Sequence, residues 1–572
     1  MPDRPRATGA QGASPSVSIF GGGVGGLSAA QELIERGFRV TVYEKRHWGG
    51  KVRGMPVPGS GSGGRRDLPG QHGFHFFPGF YRNLPDTMSR IPSPGGGTVH
   101  DRIVQATSEQ LYRSEAKSAT IPASLSLSPR FWIDVARALG ALFDGLSPSD
   151  VAFIAARMAS FAGTCRERRT EQLDDVDWWQ YIGADRAPSA YQRLLGKLLT
   201  SDLIAVRPGM ASARTIGNAA IQWLDHSLKF GSTVDRLLDG PEQHVWVEPW
   251  VRHVAEKGAE MRMPAALVKF ETDGRRITGA IVEEEIGGEK IRRRVESDHY
   301  ICALPIDVAR TVLTGPLRRA APSLARLDEL SVGWMSGVQF FLRKQRDLVN
   351  GHVAFNDSPW CLTAVSQAQF WPGFDWDAHG DGASREAFSV IVSEWDEPGL
   401  LHEKPAKACS REEIFEEVLF QINLHLERSG EEPIRREDIV APFLTPGIEI
   451  GADRGQATNE EPLFQTTTGS WSARPEPITE IPNLFLASDW VRHSVEFASA
   501  EGTNHAARRA VNGILAASGH PDRVPVWGLA EPFAFAPMRA LDKLLYRAGL
   551  PAVGHWGFTK LSRPPRAAQA AR

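Results

Sequence analysis

The clearest hydrophobic pattern in the chain lies near its start. A short apolar run at 17–20 is followed by a glycine-rich stretch, and then by Leu27 to Arg36, where apolar residues recur at helical spacing. Gly37 ends this predicted helix, and the alternating segment from Phe38 to Tyr43 predicts a second strand that runs into Glu44. The succession of strand, glycine turn, helix and strand predicts one βαβ unit of a parallel sheet.

Three other patterns divide the rest of the chain. Residues 100–250 carry apolar side chains at roughly helical spacing, which predicts a helical lobe. Apolar, β-branched runs at 338–342, 362–367 and 388–395 predict strands of an antiparallel sheet. Between these regions, the stretch 258–282 reads as a hairpin that leads to a buried strand at 299–304.

Composition narrows the class of protein. A chain of 572 residues is too long for one core, so two or more domains are expected. The formal net charge of -3 gives no general affinity for nucleic acid. The four cysteines are far apart and form no CxxC pair, so we expect no disulfide framework and no cysteine metal site, as in a cytoplasmic protein. No run of eighteen apolar residues predicts a membrane span, and the polar residues 1–16 predict a disordered tail rather than a signal peptide.

The glycine-rich stretch satisfies the GxGxxG pattern of dinucleotide-binding proteins. Gly21 suits the tight turn after the strand, Gly23 suits close approach of a pyrophosphate, and Gly26 suits close packing of the helix on the strand. Glu44 lies eighteen residues past Gly26, where an acid accepts hydrogen bonds from the adenosine ribose. An acid at 44 also disfavours the 2′-phosphate of NADP, because the charges repel.

A second glycine pair separates FAD from NAD. The stretch His47-Trp48-Gly49-Gly50-Lys51-Val52-Arg53-Gly54 resembles the segment that wraps the FAD diphosphate in the amine oxidase and carotenoid desaturase superfamily. Gly73-Phe74-His75-Phe76-Phe77 is similar to the G-x-H-x-F segment that passes near the flavin in plant-type carotenoid desaturases. His72 and His75 are therefore candidates for contact with flavin or substrate.

The resemblance returns in the last third of the chain. Residues 483–489 are similar to the family's N-L-F-L-A-G-D, whose acid bonds the flavin ribityl or phosphate region, although Ser488 replaces the glycine. Residues 501–510 resemble E-G-A-V-L-S-G-R-R-A and predict a helix whose amino end points at the flavin C2 carbonyl. Asn504, His505 and Ala507 depart from that pattern, and His505 becomes a third candidate for the substrate face. In the middle, Val268 occupies the position of a family valine near the adenine.

This resemblance covers most of residues 17–520 and implies an α/β fold, a Rossmann-like FAD-binding domain made of interleaved segments, with an inserted α+β substrate domain and a helical cap. The implied boundaries are a disordered tail (1–16), FAD-binding segments (17–100, 251–310 and 471–520), a helical substrate cap (101–250), a substrate-domain sheet (311–470) and a C-terminal tail (521–572). The predicted cofactor is FAD, held by Gly21, Gly23, Val24, Gly25, Gly26, Glu44, Lys45, Gly49, Gly50, Lys51, Val268, Asp489, Glu501, Gly502 and Thr503.

Three functions fit these motifs. The first is an FAD-dependent desaturase or dehydrogenase that takes hydride from a lipophilic, isoprenoid-like substrate onto flavin N5, as in phytoene desaturases and hydroxysqualene dehydroxylases. The second is an amine oxidase, although the strand at 336–342 has no lysine before Lys344, where many amine oxidases hold one near N5. The third is non-enzymic binding of prenylated partners, as in Rab escort-type proteins. The intact glycine pair, Asp489 and the Glu501-Gly502 pair argue against it.

The C-terminal tail carries a basic amphipathic pattern. Pro537 to Leu550 predicts a helix with Met538, Leu541, Leu544 and Leu545 on one side. Such a helix either lies on an anionic membrane surface or packs on its own domain. A peripheral membrane contact through this tail is therefore one expectation, and the packed helix is the plainer one.

Overall fold

The computed structural model describes residues 14–227, 229–231, 233, 235–451 and 456–552. In chain order the strands are β1 (Ser16–Phe20), β2 (Arg39–Tyr43), β3 (Gly54–Pro56), β4 (Pro69–Gln71), β5 (Ile103–Gln105), β6 (Ser108–Tyr112), β7 (Ala119–Pro122), β8 (Arg236–Leu238), β9 (Glu260–Arg262), β10 (Ala265–Thr272), β11 (Ile277–Ile286), β12 (Glu289–Val295), β13 (His299–Cys302), β14 (Ser331–Gly333), β15 (Ser336–Leu342), β16 (Val353–Phe355), β17 (Leu362–Ser366), β18 (Glu386–Val392), β19 (Ile439–Leu444), β20 (Ile448–Ile450), β21 (Ala457–Asn459), β22 (Leu463–Gln465) and β23 (Leu484–Leu486). The α-helices are α1 (Val24–Ile34), α2 (Asn83–Met88), α3 (Pro129–Leu142), α4 (Pro148–Gly163), α5 (Arg166–Arg168), α6 (Trp178–Ile182), α7 (Ser189–Tyr191), α8 (Ala213–Ser227), α9 (Glu248–Glu256), α10 (Ile306–Val312), α11 (Gly315–Ala320), α12 (Arg411–Arg428), α13 (Ser470–Ala473), α14 (Ala500–Ala517) and α15 (Ala536–Arg547).

A parallel five-stranded sheet forms the centre of the first layer, in the order β23-β13-β1-β2-β9. Its strands come from three separate stretches of the chain, as expected of a Rossmann-like domain built from interleaved segments. Val17 and Ile19 on β1 are fully buried against the cluster that includes α1 and α14. The predicted helix begins at Val24 rather than Leu27, because the last glycines of the motif are themselves helical.

A seven-stranded sheet forms the second domain, in the order β19-β15-β18-β17-β16-β6-β7. Alternate residues of β15 and β18 bury one face of this sheet against α12. The edge strands β6 and β7 come from residues 108–122, so the expectation of a helical cap from residue 101 is wrong at its start. β6 pairs with β16, more than 240 residues away, and local periodicity carries no signal of such a pairing.

The remaining parts are smaller. The expected hairpin in the middle of the chain gains a third strand and becomes the meander β10-β11-β12. The helices α4, α6 and α8 supply the cap over the first layer, whereas α3 packs on β7 of the seven-stranded sheet. No described helix is long and apolar enough to cross a membrane.

The amphipathic tail helix is α15, and it packs on the cap. Asp542 on α15 is fully buried; it accepts a hydrogen bond from the Cys165 backbone N–H at 2.8 Å and lies 3.0 Å from the Arg168 Nε. Most of the predicted disordered tail (1–13) and the basic residues beyond 552 lie outside the described residues. The structure therefore shows α15 packed on the cap, although Leu541 and Leu544 of its predicted apolar side are 49% and 64% exposed. Contact of the tail with a membrane stays a prediction.

Candidate cofactor site and active site

The first turn of α1 leaves no room for side chains at its two glycines. A Cβ on Gly25 would lie 1.9 Å from the Ala487 carbonyl oxygen, and one on Gly26 would lie 1.8 Å from the Gly21 carbonyl oxygen. Gly23 differs, because its nearest neighbour, the Gly50 Cα, would be 3.8 Å away. Gly23 also caps α1 without a side chain, so the positive end of the helix stays open for a diphosphate.

The second glycine pair lies directly against this turn. The Gly49 N–H donates to the Gly22 carbonyl at 2.9 Å, and Gly49 and Gly50 adopt φ values of +91° and +56° that only glycine tolerates well. Val24 is buried in the first turn of α1, and the Lys51 ammonium reaches the Pro462 carbonyl. The two glycine motifs thus form one cradle of backbone groups.

Glu44 lies at the end of this cradle where the sequence predicts the adenosine. Its carboxylate accepts from the Gly22 N–H at 2.7 Å and from the Arg46 N–H at 2.8 Å, which fixes it beside the turn. Lys45 is exposed. The Ala265 N–H donates to the Glu44 carbonyl at 2.7 Å, so β10 starts here, and Val268 follows at a bulge in the pairing of β10 with β11.

Two carboxylates meet at the opposite end. Asp489 follows β23, and its carboxylate accepts one hydrogen bond among the described residues, from the Ser488 hydroxyl at 3.2 Å. Asp307, at the start of α10, has a buried carboxylate oxygen without a hydrogen-bond partner in the described part of the chain. Burial raises the pKa of Asp307, the positive charge of Lys51 lowers it, and the negative charge of Asp489 raises it further. Free acceptors of this kind suit the hydroxyls of a ribityl chain.

Glu501 and Gly502 have roles that the sequence did not indicate. The Glu501 carboxylate accepts four hydrogen bonds of 2.7 to 2.9 Å from residues 82–84, so it fixes the start of α2. A Cβ on Gly502 would lie 2.2 Å from the His493 ring, so this glycine makes room for a histidine rather than for the flavin alone. The Thr503 hydroxyl donates to the Ser499 carbonyl at 2.8 Å. A flavin contact by this helix end stays a prediction.

Arg474 holds the loop between Asp489 and α14. It is fully buried, and its guanidinium donates to the backbone carbonyls of Asp489, Trp490, Val491 and Glu496. Burial lowers the pKa of Arg474 to about 9. Sequence analysis missed this residue because its partners are main-chain atoms, which leave no side-chain pattern in the sequence.

The three candidate histidines lie in different surroundings. His72 Nε2 lies 3.3 Å from Glu461, which Arg53 also holds at 2.9 and 3.0 Å. Burial lowers the pKa of His505 on α14 to about 4, with Arg509 and Arg508 acting in the same direction.

His75 makes the third arrangement. Its Nδ1 lies 2.8 Å from a carboxylate oxygen of Glu242, a residue that sequence analysis did not single out. The His75 side chain keeps 26% of its surface exposed, whereas the Glu242 side chain keeps 2%. Of the three, His75 alone combines a carboxylate partner with an accessible ring.

These features fit FAD. The cradle has room at Gly23, a helix end for the diphosphate, and a buried Asp307 oxygen without a hydrogen-bond partner among the described residues. FAD would supply hydride acceptance at N5, while the protein binds it, orients it and excludes water.

Comparison with solved structures finds the same fold. A putrescine oxidase solved with putrescine aligns with a TM-score of 0.57 at 14% identity, over 88% of this chain and 99% of that one. A cyclohexylamine oxidase from Brevibacterium oxydans IH-35A gives 0.53 at 13% identity, over 88% and 99%. An oxidoreductase from Methanosarcina mazei gives 0.54 at 12% identity, over 88% and 100%.

Sequence comparison adds two partial relatives and one family. The chain is 37% identical over 81 residues to a carotenoid phi-ring synthase of Streptomyces griseus, which is 14% of this chain and 15% of that protein. It is 40% identical over 72 residues to the carotenoid phi-ring synthase of Chlorobaculum tepidum, 12% of this chain and 10% of that protein. The model of the flavin containing amine oxidoreductases matches residues 24–515. The chain therefore belongs to the flavin containing amine oxidoreductase family and is an FAD-dependent oxidoreductase.

Proposed function

We propose that this enzyme oxidises a lipophilic, isoprenoid-like compound. The observation that carries the proposal is the face of the seven-stranded sheet that turns away from α12. On β18, Phe388, Val390 and Val392 point to α12, whereas Ala387 and Ile391 point to the other face. There they join an apolar cluster with Phe74, Phe341, Val365, Phe370, Trp371 and Phe443.

A large cavity continues from this cluster. Its volume is about 790 Å³, within the range of sites that enclose sizeable ligands. Val57, Leu68 and Phe443 belong both to its wall and to the apolar cluster. Another part of the wall is formed by His47, Trp48, Arg53 and Gly54 of the second glycine segment, and Arg66 and Arg411 are among its charged residues. An apolar wall of this kind favours hydrocarbon ligands, since burial yields about 25 cal/mol per Å² of apolar surface.

The partial relatives support the same substrate class. Both are named carotenoid phi-ring synthases, and a carotenoid is a long, apolar isoprenoid. The matched part covers only 15% and 10% of those proteins, so their names indicate a class of compound and not a reaction.

An amine oxidase is the second candidate, because the structural neighbours include putrescine and cyclohexylamine oxidases. Two features of this chain favour the first candidate. Strand β15 consists of buried residues and has no lysine. Glu242, the carboxylate beside the apolar cluster, is already bonded to His75.

Anaerobic mixing separates the two candidates. We expect polyenes or other isoprenoid compounds, delivered in detergent, to bleach the flavin of the holo enzyme, and small amines to leave it oxidised. Bleaching by amines alone would refute the proposal.

Adjacent residues of β18 give matched variants for the same assay. Ile391→Ala should weaken apolar substrate binding, because Ile391 belongs to the apolar cluster on the proposed substrate face. Val390→Ala removes a side chain from the opposite face and should lower stability only. Equal effects of the two substitutions on substrate binding would contradict the assignment of the faces.

Contact with a membrane surface belongs to the same proposal. Trp132, Ile133 and Leu139 on α3 are 52%, 53% and 46% exposed, and Arg130 and Arg137 on the same helix are exposed as well. A half-exposed apolar stripe with basic residues suits an anionic lipid surface. We expect the holo enzyme to sediment with vesicles that contain anionic lipid, and Trp132→Ser to reduce this binding. Equal sedimentation of both proteins would exclude α3.

A further inference from the structure

We propose that His75 and Glu242 form a dyad that accepts a proton from the substrate during its oxidation, an inference that rests on the proposed function. The His75 Nδ1 lies 2.8 Å from Glu242, and Glu242 is the one side chain that this ring bonds among the described residues. A carboxylate on Nδ1 fixes the ring and its tautomer, so that Nε2 is left as the base.

The surroundings of the dyad are apolar. Both residues line a cavity of about 10 Å³ with Leu237, Leu238, Val365, Phe370 and Trp371, and the polar residue beside them is Gln367. This cavity is separate from the large one, and the two are connected through the apolar cluster, to which Val365, Phe370 and Trp371 belong. Glu242 is the one other ionisable group in this lining. Its second carboxylate oxygen is buried and has no hydrogen-bond partner in the described part of the chain. Such an orphaned acceptor is costly unless the site uses it.

The dyad lies next to the cofactor cradle. A side chain at Gly54 would collide with the Gln243 Cβ at 2.8 Å, and one at Gly49 would collide with Val247 at 2.7 Å. The residues that follow Glu242 therefore pack on the loop of the second glycine pair.

The segment that carries His75 is fixed at both ends by elements of the predicted flavin site. The His72 carbonyl accepts from the Gly337 N–H on β15 at 3.0 Å, and residues 82–84 donate to Glu501 at the start of α14. His75 lies between these two points, on the side of the sheet where the substrate is expected.

The chemistry needs such a base. When a saturated C–C bond becomes a double bond, one C–H bond breaks and its hydrogen departs as a hydride with both electrons, which bound FAD would accept. The neighbouring C–H bond breaks and its electron pair forms the new π bond, while its proton goes to His75 Nε2. The imidazolium that results is neutralised by Glu242, so the apolar cavity holds no unpaired charge.

Electrostatics agree with the geometry. Burial lowers the pKa of His75, but the charge and hydrogen bond of Glu242, together with a hydrogen bond to the Gly73 backbone, outweigh burial and leave this pKa above the ordinary value. A base must be neutral to accept a proton, so the rate of flavin reduction should rise with pH through the pKa of His75. Glu242 acts through His75 and is a positioning residue.

The first test needs no substrate. Diethylpyrocarbonate reacts with neutral imidazole, and peptide mass spectrometry reports its rate at His75 in the holo enzyme as a function of pH. We expect the midpoint to lie above 6.5, the ordinary value for histidine, and to fall in Glu242→Gln. A wild-type midpoint at or below the ordinary value, or one that Glu242→Gln leaves unchanged, would overturn the dyad whatever the substrate proves to be.

The second test follows flavin bleaching by whichever compound class reduces the enzyme. We expect His75→Gln to slow reduction by about 10²- to 10⁴-fold and to abolish the acid limb of its pH profile, with FAD content unchanged. Glu242→Gln should move that limb to lower pH. A His75→Gln variant that keeps the wild-type rate and limb would refute the dyad, even if the isoprenoid substrate is confirmed.

A matched control lies on the other face of the sheet. His425 Nε2 lies 2.5 Å from Asp357 in the core beneath α12, so it is a histidine–carboxylate pair remote from the proposed substrate face. His425→Gln should lower stability and leave the pH profile unchanged. A shift of the profile equal to that of Glu242→Gln would show that loss of any such pair acts through stability, and would overturn the assignment.

Discussion

Two glycines in the first turn of α1 allow cofactor binding to be separated from folding. The backbone of Gly23 has φ −81° and ψ −168°, which any residue adopts, and a Cβ there would lie 3.8 Å from its nearest neighbour. Alanine at 23 should leave the apo protein nearly as stable as the wild type. Alanine is a poorer helix cap than glycine, which lowers the free energy of unfolding, but it also makes the unfolded chain less flexible, which raises it. Each effect amounts to about 1 kcal/mol or less.

The same methyl group should weaken FAD binding, because it occupies the space through which the diphosphate approaches Gly23. A forced overlap of this kind costs about 1–3 kcal/mol, which corresponds to about a 5- to 150-fold higher Kd. Gly25→Ala is the contrasting variant. Its Cβ would lie 1.9 Å from the Ala487 carbonyl oxygen, so α1 and β23 must separate by about 1.4 Å to reach an ordinary C···O distance of about 3.3 Å.

The assay has two readouts on apo protein. Thermal unfolding followed by circular dichroism reports stability, and titration with FAD followed by flavin fluorescence reports the Kd. We expect Gly23→Ala to change the second alone, and Gly25→Ala to change both. A Gly23→Ala variant with the wild-type Kd for FAD would refute the placement of the diphosphate at this turn.

Three further substitutions test other parts of the molecule. Arg474→Met should release FAD, because it leaves four buried carbonyls of the loop without their donor; full flavin content after purification would contradict this. His72 and Arg53 hold the pKa of Glu461 below its ordinary value against the opposing effect of burial. Ionised Glu461 therefore stabilises the folded protein at pH values above the pKa that it has in the unfolded chain, and this stabilisation is lost as the pH falls. Glu461→Gln should therefore lower the Tm at pH 7, and the difference in Tm between the wild type and the variant should narrow below about pH 4. A Tm difference that does not depend on pH would count against the interaction of Glu461 with Arg53 and His72. Asp542→Asn should cost about 3–5 kcal/mol in denaturant unfolding, whereas Lys543→Gln, which breaks a half-exposed pair, should cost about 1 kcal/mol or less; equal costs would contradict the packing of α15.

Local patterns predicted the elements whose chemistry lies within a few residues. The strand, glycine turn and helix at 16–34 are determined by near neighbours, so the βαβ unit could be predicted with bounds wrong by only a few residues. The same holds for β15, β17 and β18, whose β-branched and aromatic residues form continuous buried strands.

The rest depends on contacts between distant parts of the chain. Glu242, Asp307 and Arg474 acquire their roles from partners that the fold brings together, and no spacing in the sequence marks them. Gly502 shows a different limit of prediction from the sequence. Its motif was recognised, but the reason for a glycine there is the ring of His493, nine residues earlier, and not only a ligand.

The hydrogen bonds between residues 82–84 and Glu501 also determine when the FAD-binding domain can finish folding during synthesis. These groups are separated by 417 to 419 residues, and β13 must likewise wait for β23 to complete the sheet. At about 5–20 residues per second, a ribosome takes about 20 to 80 s to make the intervening chain. During that time β1, β2 and α1 have been made but lack a covering helix. Apolar surface that stays uncovered for so long binds chaperones or aggregates. The yield of folded enzyme in a recombinant host should therefore respond to chaperone supply and growth temperature more than to cofactor supply.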